Sequence, residues 1–379
     1  MSDRSTRTVG IDASRASIAQ QTGTERYSQR IIQTLLDLMM EERVRLYVND
    51  TVPIPFRQRA NVTQRLIPFP RLWTHVRLSA ELARHHVDAL FVPSHVVPPV
   101  HPHATVVTIH DLGYLHEPEA HPDASRRYLD WSTKWSVRAA RHVIAISQTT
   151  KQDLITHCGV QPEKITVIHH GVDERFRPAP PAEIAHARRW LEIDGPFILH
   201  VGTIQPRKNL VRLIEAFERL ADQHAELSLV LAGKLGWKTD DIVDAVRSSV
   251  HRERIRLPGH VPDELLPGLY TAASVFALPS LYEGFGMPVI EAMACGTPCV
   301  VSDRGSLPEI AGKAAEIVNP EDVIGLSVAL ARLLNGDERA TRIDAGLEHA
   351  KEFSWLRAGE RTLETIRMAM GTGATADAR

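Results

Sequence analysis

The chain has little cysteine, no long apolar run and no excess of charge of either sign. Its 379 residues include three cysteines, Cys158, Cys295 and Cys299, and no Cys-x-x-Cys pair. Such usage excludes a disulfide framework, gives no zinc-ligand pattern and favours a reducing compartment. No apolar run reaches the ~18 residues of a membrane span, and the N-terminus lacks the apolar core of a signal peptide. We therefore predict a cytoplasmic protein.

The charge balance bears on the class of partner. Lysine and arginine total 44 and aspartate and glutamate 46, which gives a formal net charge of −2 with histidine neutral. A strongly basic nucleic-acid-binding protein is therefore not expected. At ~150 residues per domain, the length predicts two to three domains.

Short Val- and Ile-rich runs alternate with helical stretches along the whole chain. Thr8–Asp12, Thr105–Ile109 and Phe197–Val201 are typical of the strand runs, and Glu25–Met40 of the helices. Because the apolar residues do not alternate, the runs predict parallel strands buried on both faces. The fold class is therefore α/β with doubly wound domains.

A proline cluster, Arg177-Pro178-Ala179-Pro180-Pro181, divides the chain. Stiff segments of this kind connect domains. We predict an N-terminal domain over 1–177, a linker over 178–193 and a C-terminal domain over 194–354. A helix and tail over 355–379 are expected to pack back on the N-terminal domain.

Ligands of doubly wound sheets bind at the carboxyl ends of the strands. Three loops there carry polar chemistry: the Gly23 loop (Gln20–Arg26), His110-Asp111, and the loop with Arg207 and Lys208. Two cations at a helix start oppose the helix dipole, which favours a bound anion. Each loop also has an ordinary interpretation: a capped helix start, a histidine bonded to backbone carbonyls, and solvated surface cations.

The segment from Pro279 to Gly296 is the most specific. It places Glu283 in a glycine-rich loop, Pro288 in a first helical turn and Glu291 on the same helix. Loop amides and a helix N-terminus hold phosphate or sugar oxygens, and carboxylates accept hydrogen bonds from hydroxyls. Glu291 is otherwise only a favourable charge near a helix N-terminus.

Glu283 and Glu291 form an E-x7-E motif whose surroundings closely resemble the retaining glycosyltransferases of family 4. Further similarities follow in order at Thr108-Ile109-His110-Asp111, Arg207-Lys208-Asn209 and Leu231-Ala232-Gly233-Lys234. The resemblance covers roughly residues 8–355. It implies the GT-B fold, two Rossmann-like domains facing across a deep cleft, and transfer of a hexose from a nucleoside-diphosphate sugar with retention.

The resemblance also implies roles for individual residues. Glu283 would contact the donor hexose, Glu291 the ribose, and Lys208 the diphosphate, with His110 beside the reacting sugar. The catalytic set is His110, Glu283, Lys208 and Arg207. The donor-binding set is Gly23, Gly202, Thr203, Arg207, Lys208, Lys234, His260, Val261, Glu283, Gly284, Phe285, Gly286, Met287, Val289 and Glu291. The base would be held by backbone contacts of Gly259–Val261, and the amide of Val289 would lie near the diphosphate.

One residue departs from the family pattern. Thr203 stands where many members have an arginine that neutralises the diphosphate, so Arg207 or Lys234 is expected to replace it. The chain resembles a subset of bacterial mannosyl- and rhamnosyltransferases that share this Gly-Thr…Pro-Arg-Lys-Asn form and a Gly-Lys-x-Gly-Trp segment, here Gly-Lys-Leu-Gly-Trp over 233–237. This resemblance points to GDP-mannose as donor. We expect no cofactor and no metal, because cations replace the metal and no Asp-x-Asp motif occurs.

Four other functions remain open from the sequence. They are the same chemistry with a UDP- or dTDP-sugar, a GT-B sugar-nucleotide 2-epimerase, a glycoside hydrolase using Glu283 and Glu291, and a non-catalytic nucleotide-sugar-binding subunit.

The acceptor is expected to be a saccharide or lipid-linked, as in polysaccharide biosynthesis, with Tyr114, His116 and Arg126 as candidate contacts. Residues 124–141 predict a helix with one basic face and one aromatic face. The basic face carries Arg127, Lys134, Arg138 and Arg141, and the aromatic face carries Tyr128, Trp131 and Trp135. Such a helix can lie on the inner face of an anionic membrane. The same pattern is typical of an ordinary amphipathic helix with its aromatics in the core.

Overall fold

The computed structural model describes residues 7–16, 23–49, 56, 59–69, 71–94, 96–118, 123–336 and 338–371. The chain divides into two compact units. The first comprises Met1–Leu112, Pro122–Gly171 and Ser354–Arg379, and the second comprises Gly113–His121 and Val172–Phe353.

Each unit is built on one parallel sheet. The strands of the first sheet are β1 (Thr8–Asp12), β2 (Arg43–Val48), β3 (Val62–Leu66), β4 (Ala89–Val92), β5 (Ala104–Ile109), β6 (His142–Ala145) and β7 (Ile165–Val167). Those of the second are β8 (Phe197–Val201), β9 (Ser228–Ala232), β10 (Ile255–Gly259), β11 (Val275–Leu278), β12 (Cys299–Ser302) and β13 (Glu316–Val318).

Fourteen α-helices are assigned in the part of the chain that the structure describes. They are α1 (Gly23–Leu38), α2 (Ser79–Arg84), α3 (Gly113–His116), α4 (Asp123–Ala139), α5 (Gln148–Cys158), α6 (Pro181–Leu191), α7 (Leu210–Ala221), α8 (Asp240–Ser248), α9 (Leu266–Ala272), α10 (Met287–Ala294), α11 (Leu307–Ala311), α12 (Val323–Asn335), α13 (Glu338–Ala350) and α14 (Trp355–Ala369). Among the described residues, none of these helices is both long and apolar enough to cross a bilayer.

The strand orders define the fold class. The first sheet runs β3-β2-β1-β4-β5-β6-β7 and the second β10-β9-β8-β11-β12-β13. All neighbouring strands pair in parallel. In each sheet the order begins 3-2-1-4, the Rossmann arrangement, whose ligands bind where the order reverses. The prediction of two Rossmann-like domains is confirmed, and in the second unit the reversal lies between β8 and β11.

The buried strands follow the predicted runs, whereas the sheet edge does not. β5 is buried along its whole length, because a parallel strand inside a doubly wound sheet has both faces covered. β3, an edge strand, was not predicted, since four of its five residues are exposed and its sequence Val-Thr-Gln-Arg-Leu is largely polar.

The division into units differs from the predicted boundaries. The second unit already begins at Val172, so it includes the end of the predicted N-terminal domain and the predicted linker over 178–193, where α6 (Pro181–Leu191) lies. There α6 packs on α9, where a Cβ on Gly268 would stand 2.6 Å from the Glu183 carbonyl oxygen. Residues 113–121, predicted in the N-terminal domain, also belong to the second unit.

The last helix belongs to the first unit. α14 packs on α1 so closely that a Cβ on Gly359 would stand 2.4 Å from Thr34 Cγ2. Arg367 of α14 also forms an ion pair with the buried Glu42 at 2.7 Å.

Candidate active site

The segment that follows β8 runs beside the segment that follows β9. The Ile204 amide donates to the Lys234 carbonyl (2.9 Å), and the Gly236 amide donates to the Ile204 carbonyl (2.8 Å). A Cβ on Gly233 would stand 1.8 Å from the Gly202 carbonyl oxygen. Glycine is therefore required where these two backbones touch, and the contact brings together two of the motifs that suggested the family.

The turn that carries Arg207 and Lys208 is fastened to the loop after β11. Asn209 has φ 58°, in the left-handed region that asparagine tolerates. Its side-chain amide donates to the carbonyls of Pro279 (3.1 Å) and Pro320 (2.7 Å). The Leu281 amide also donates to the Arg207 carbonyl at 2.9 Å. The segments that follow the two strands at the reversal point are thus held together by the Asn209 side chain and by one backbone hydrogen bond.

Both cations of this turn bind one carboxylate. Arg207 Nη1 lies 2.8 Å from Glu283 Oε2, and Lys208 Nζ lies 2.5 Å from Glu283 Oε1. Arg207 also donates to the Tyr282 carbonyl. Glu283 and Lys208 are each only 7% exposed, and charge-assisted bonds of this kind are strong. The group is a buried cluster of two cations and one anion.

The two cations decide the charge of Glu283. Burial, the largest influence, would raise the pKa of this carboxyl, but Arg207 and Lys208 together outweigh it and hold the pKa below its usual value. Glu283 is therefore ionised, and the cluster carries a net positive charge. A hydrolase acid needs a raised pKa, so the geometry argues against the hydrolase alternative.

Next to this cluster the chain enters α10 through a tight loop. Gly286 has φ 101°, and a Cβ there would stand 2.7 Å from Leu307 Cδ2, so this position favours glycine. The Ser306 hydroxyl lies 3.0 Å from the Glu283 carbonyl and 2.9 Å from that of Phe285. A helix N-terminus beside two cations is suited to an anion.

Within α10, two predicted donor contacts are constrained by the structure. Val289 is fully buried and its amide donates to the Gly286 carbonyl at 2.9 Å, so a phosphate would share that amide. Glu291 is 2% exposed and its Oε2 accepts a 2.9 Å hydrogen bond from the Tyr270 hydroxyl of α9. Tyr270 was not predicted, because a lone tyrosine in an apolar helix gives no signal.

In the first unit, His110 makes hydrogen bonds through its ring and through its backbone carbonyl. Its Nε2 lies 3.0 Å from the Pro93 carbonyl, and its own carbonyl accepts from Thr150 Oγ1 at 3.3 Å. The Tyr27 ring meets the imidazole edge-on at 4.8 Å. Desolvation, the main cause, lowers the pKa of His110, so the ring is neutral near pH 7. A carbonyl-bonded histidine was the ordinary interpretation of this residue, and that bond is present.

Other predicted donor residues are placed as follows. Gly23 is the exposed first residue of α1, with open space where a Cβ would stand, and Gln20–Thr22 lie outside the described residues. Lys234 and His260 are exposed after β9 and β10. Val261 is buried, so its side chain packs in the core and only its backbone is open to a ligand. Gly202, Thr203, Gly284, Phe285 and Met287 lie at the ends of β8 and β11 or at the start of α10.

The three predicted acceptor residues belong to different units. Tyr114, on α3 of the second unit, is only 3% exposed, and its role as an acceptor contact stays a prediction. His116 is exposed and stacks on Tyr282 at 4.3 Å, next in sequence to Glu283. Arg126 belongs to the first unit, where it pairs with Asp123 at 3.1 Å.

Two Rossmann-like sheets, one with a cationic site at its reversal point, define an α/β protein suited to a phosphorylated ligand. Two family models match the chain: "Glycosyltransferase Family 4" over residues 22–176 and "Glycosyl transferases group 1" over residues 185–348.

Individual relatives agree. O-antigen chain mannosyltransferase B of Escherichia coli is 30% identical over 366 residues, 92% of this chain and 96% of that protein. An MMP alpha-(1->4)-mannosyltransferase of Mycolicibacterium hassiacum is 32% identical over 243 residues, 62% of this chain and 56% of that one. The solved sucrose-phosphate synthase of Thermosynechococcus elongatus aligns with a TM-score of 0.75 at 21% identity, over 96% of this chain and 99% of that one. The chain belongs to the group 1 glycosyltransferases of the GT-B fold, and it is a hexosyltransferase.

Proposed function

We propose that the enzyme transfers mannose from GDP-mannose to a saccharide or lipid-linked acceptor, with retention of the anomeric configuration. The observation that carries the proposal is the cluster of Arg207, Lys208 and Glu283 at the point where the second sheet reverses. The mannosyltransferase names of the two relatives support the choice of sugar. So does the Gly-Lys-Leu-Gly-Trp segment, which lies beside the Gly202-Thr203 strand end.

In this proposal Lys208 and Arg207 bind the diphosphate together with the N-terminus of α10. Breaking the glycosidic bond leaves charge on the diphosphate, and preformed cations stabilise that charge without reorganisation. Because two side-chain cations are already in place, the reaction needs no metal. The leaving phosphate takes the proton of the acceptor hydroxyl, so no protein nucleophile is assigned.

The donor site is completed by two glutamates and by the loop that holds the nucleotide base. Glu283 turns from its cations to the hexose hydroxyls, Glu291 binds the ribose hydroxyls, and the backbone of Gly259–Val261 holds the base.

A donor screen over GDP-, UDP-, ADP- and dTDP-sugars tests this function, with released nucleoside diphosphate as the first readout. Mannosylated product from GDP-mannose alone is expected, with an α-linkage by NMR. Turnover of a UDP- or dTDP-sugar would overturn the donor assignment. Conversion of the donor without an acceptor would indicate the 2-epimerase, and binding without turnover the non-catalytic subunit.

An aromatic surface on the first unit supports a lipid-linked acceptor and a position at the inner face of the membrane. Trp131 and Tyr128 of α4 are about half exposed, and His75 stacks on Trp131 at 5.9 Å. Two apolar residues close to His75 in the sequence, Leu72 and Val76, are each at least 50% exposed. Such amphipathic rings suit a membrane interface.

Flotation with vesicles of anionic and of neutral lipid tests this part separately. A double variant, Tyr128→Ala with Trp131→Ala, should lose binding to anionic vesicles. Trp190→Ala, a 37% exposed tryptophan of the second unit, is the matched control. Equal flotation of the double variant and the wild type would contradict the membrane contact.

A further inference from the structure

A buried histidine that the proposed mechanism does not use lies at the end of β8. His200 is fully buried, and its Nδ1 lies 3.2 Å from the Ala277 carbonyl of β11. A carbonyl only accepts, so Nδ1 carries the proton and Nε2 is left with a lone pair. That Nε2 has no hydrogen-bond partner among the described residues. A buried acceptor without a partner is costly, and such groups concentrate at functional positions.

His200 Nε2 lies near the ammonium of Lys208, the cation that the proposed function assigns to the diphosphate. A Cβ on Gly202 would stand 3.4 Å from His200 Nε2 and 3.6 Å from Lys208 Nζ, so both nitrogens border the same point above the Gly202 backbone. Burial, and then the charge of Lys208, lower the pKa of His200 to about 3. The imidazole is therefore neutral near pH 7.

We propose that His200 is a positioning residue whose Nε2 accepts a hydrogen bond from Lys208 when a diphosphate draws the ammonium away from Glu283. This inference rests on the proposed function, because it requires Lys208 to bind the diphosphate.

A neutral acceptor is the appropriate partner for this lysine. In the structure Glu283 orients Lys208 but also cancels one positive charge. In the reacting complex the ammonium must be oriented while its full charge acts on the leaving group. An imidazole lone pair directs one N–H of the ammonium without neutralising it, and the bond from His200 Nδ1 to Ala277 holds the ring in that tautomer.

Kinetics of three variants test the role. His200→Phe keeps the ring volume and removes the acceptor; we expect kcat to fall by about 10- to 100-fold, the range of a hydrogen bond to a charged group, with donor KM nearly unchanged. His200→Gln restores an acceptor and should recover most of the rate. His349→Phe is the matched control, since His349 is a partly buried histidine bonded to the Ile310 carbonyl in the same unit. Equal rates for the Phe and Gln variants would overturn the inference.

A double-mutant cycle separates this inference from the function on which it rests. If His200 acts through Lys208, His200→Phe should cost nothing further in a Lys208→Met background. A Lys208→Met enzyme with normal kinetics would instead refute the diphosphate assignment itself. An impaired Lys208→Met enzyme in which His200→Phe still costs its full factor would refute only the role of His200.

An NMR measurement on the wild-type enzyme tests the same hydrogen bond and does not require His200→Phe to fold. In enzyme labelled with 15N-histidine, the Nε2 signal of His200, assigned by its loss in His200→Gln, should shift towards a hydrogen-bonded acceptor when GDP is added. The shift should be absent in Lys208→Met. An unchanged signal at saturating GDP would overturn the inference.

Discussion

Replacing Glu283 with glutamine should destabilise the enzyme and yet strengthen its binding of the product nucleotide. The change keeps the shape of the side chain and removes its charge. In the structure that charge is bonded to Arg207 at 2.8 Å and to Lys208 at 2.5 Å, and both Glu283 and Lys208 are buried. The two cations are then left facing one another without their shared anion.

The expected magnitude follows from the burial of the cluster. Removing one partner of a buried ion pair costs about 3–5 kcal/mol, and the glutamine oxygen, which still accepts one bond, places Glu283→Gln near the lower value. For a unit of this size, about 3 kcal/mol lowers the melting temperature by roughly 6–12 °C. A diphosphate no longer competes with the carboxylate for Arg207 and Lys208, so we expect GDP to bind about tenfold more tightly.

Thermal unfolding and calorimetric titration with GDP measure both effects on the same protein. The melting temperature should fall without ligand, and saturating GDP should raise it more in Glu283→Gln than in the wild type. Turnover should fall as well, because the proposed contact to the donor sugar is lost. The reasoning is refuted if the variant is as stable as the wild type, or if it binds GDP more weakly.

The remaining predictions concern the same site. Lys208→Ala should lower kcat by about 10²–10³, since it removes a cation whose interaction strengthens in the transition state, whereas Glu291→Gln should mainly raise donor KM. Similar steady-state profiles for the two variants would contradict the assigned roles. The control is Lys351→Ala, which changes an exposed lysine. Turnover should persist in EDTA, and a loss restored by Mg²⁺ or Mn²⁺ would show that a metal is required. Acidification should destabilise the fold, because His200 has a pKa of about 3 in the folded protein against an ordinary 6.5. Below pH 6.5 it stays neutral in the folded protein while the unfolded chain takes up a proton. The free energy of unfolding should therefore be highest above pH 6.5 and be lower by ~2 kcal/mol at pH 5. Urea unfolding at pH 7 and pH 5 should show that loss in the wild type and a smaller one in His200→Gln.

The sequence predicts the interior of both sheets and fails at their periphery, for physical reasons. The run Phe197–Val201 forms a strand with the predicted bounds, because a short apolar-rich run between turn signals is typical of a buried strand. The edge strand β3 has a polar sequence and is held by pairing with β2, so its own residues carry little of the signal. A sequence pattern also cannot predict the unit boundaries, because residues 113–121 belong to the second unit although the residues on both sides of them in the sequence belong to the first.

For the candidate site, motifs identified the residues but not their mutual bonds. Arg207, Lys208 and Glu283 were each predicted as ligands of the donor, and the structure pairs them with one another. Their separation of about 75 positions hides that pairing from any local pattern. His200 and Tyr270 were missed because each is a single polar residue in an apolar element, which composition alone cannot distinguish from ordinary packing.

The packing of α14 on α1 has a consequence for synthesis at the ribosome. The first unit needs α14, whose Ile366 and Leu363 complete the core that α1 and β1 begin. Emerging N-terminus first, the chain exposes the apolar face of α1 until residues 355–369 have left the exit tunnel. By then every residue of the second unit has already been synthesised. The unit that begins first thus finishes last, and a chain terminated at residue 353 would keep a complete set of residues for the second unit while leaving the first with an open, aggregation-prone core.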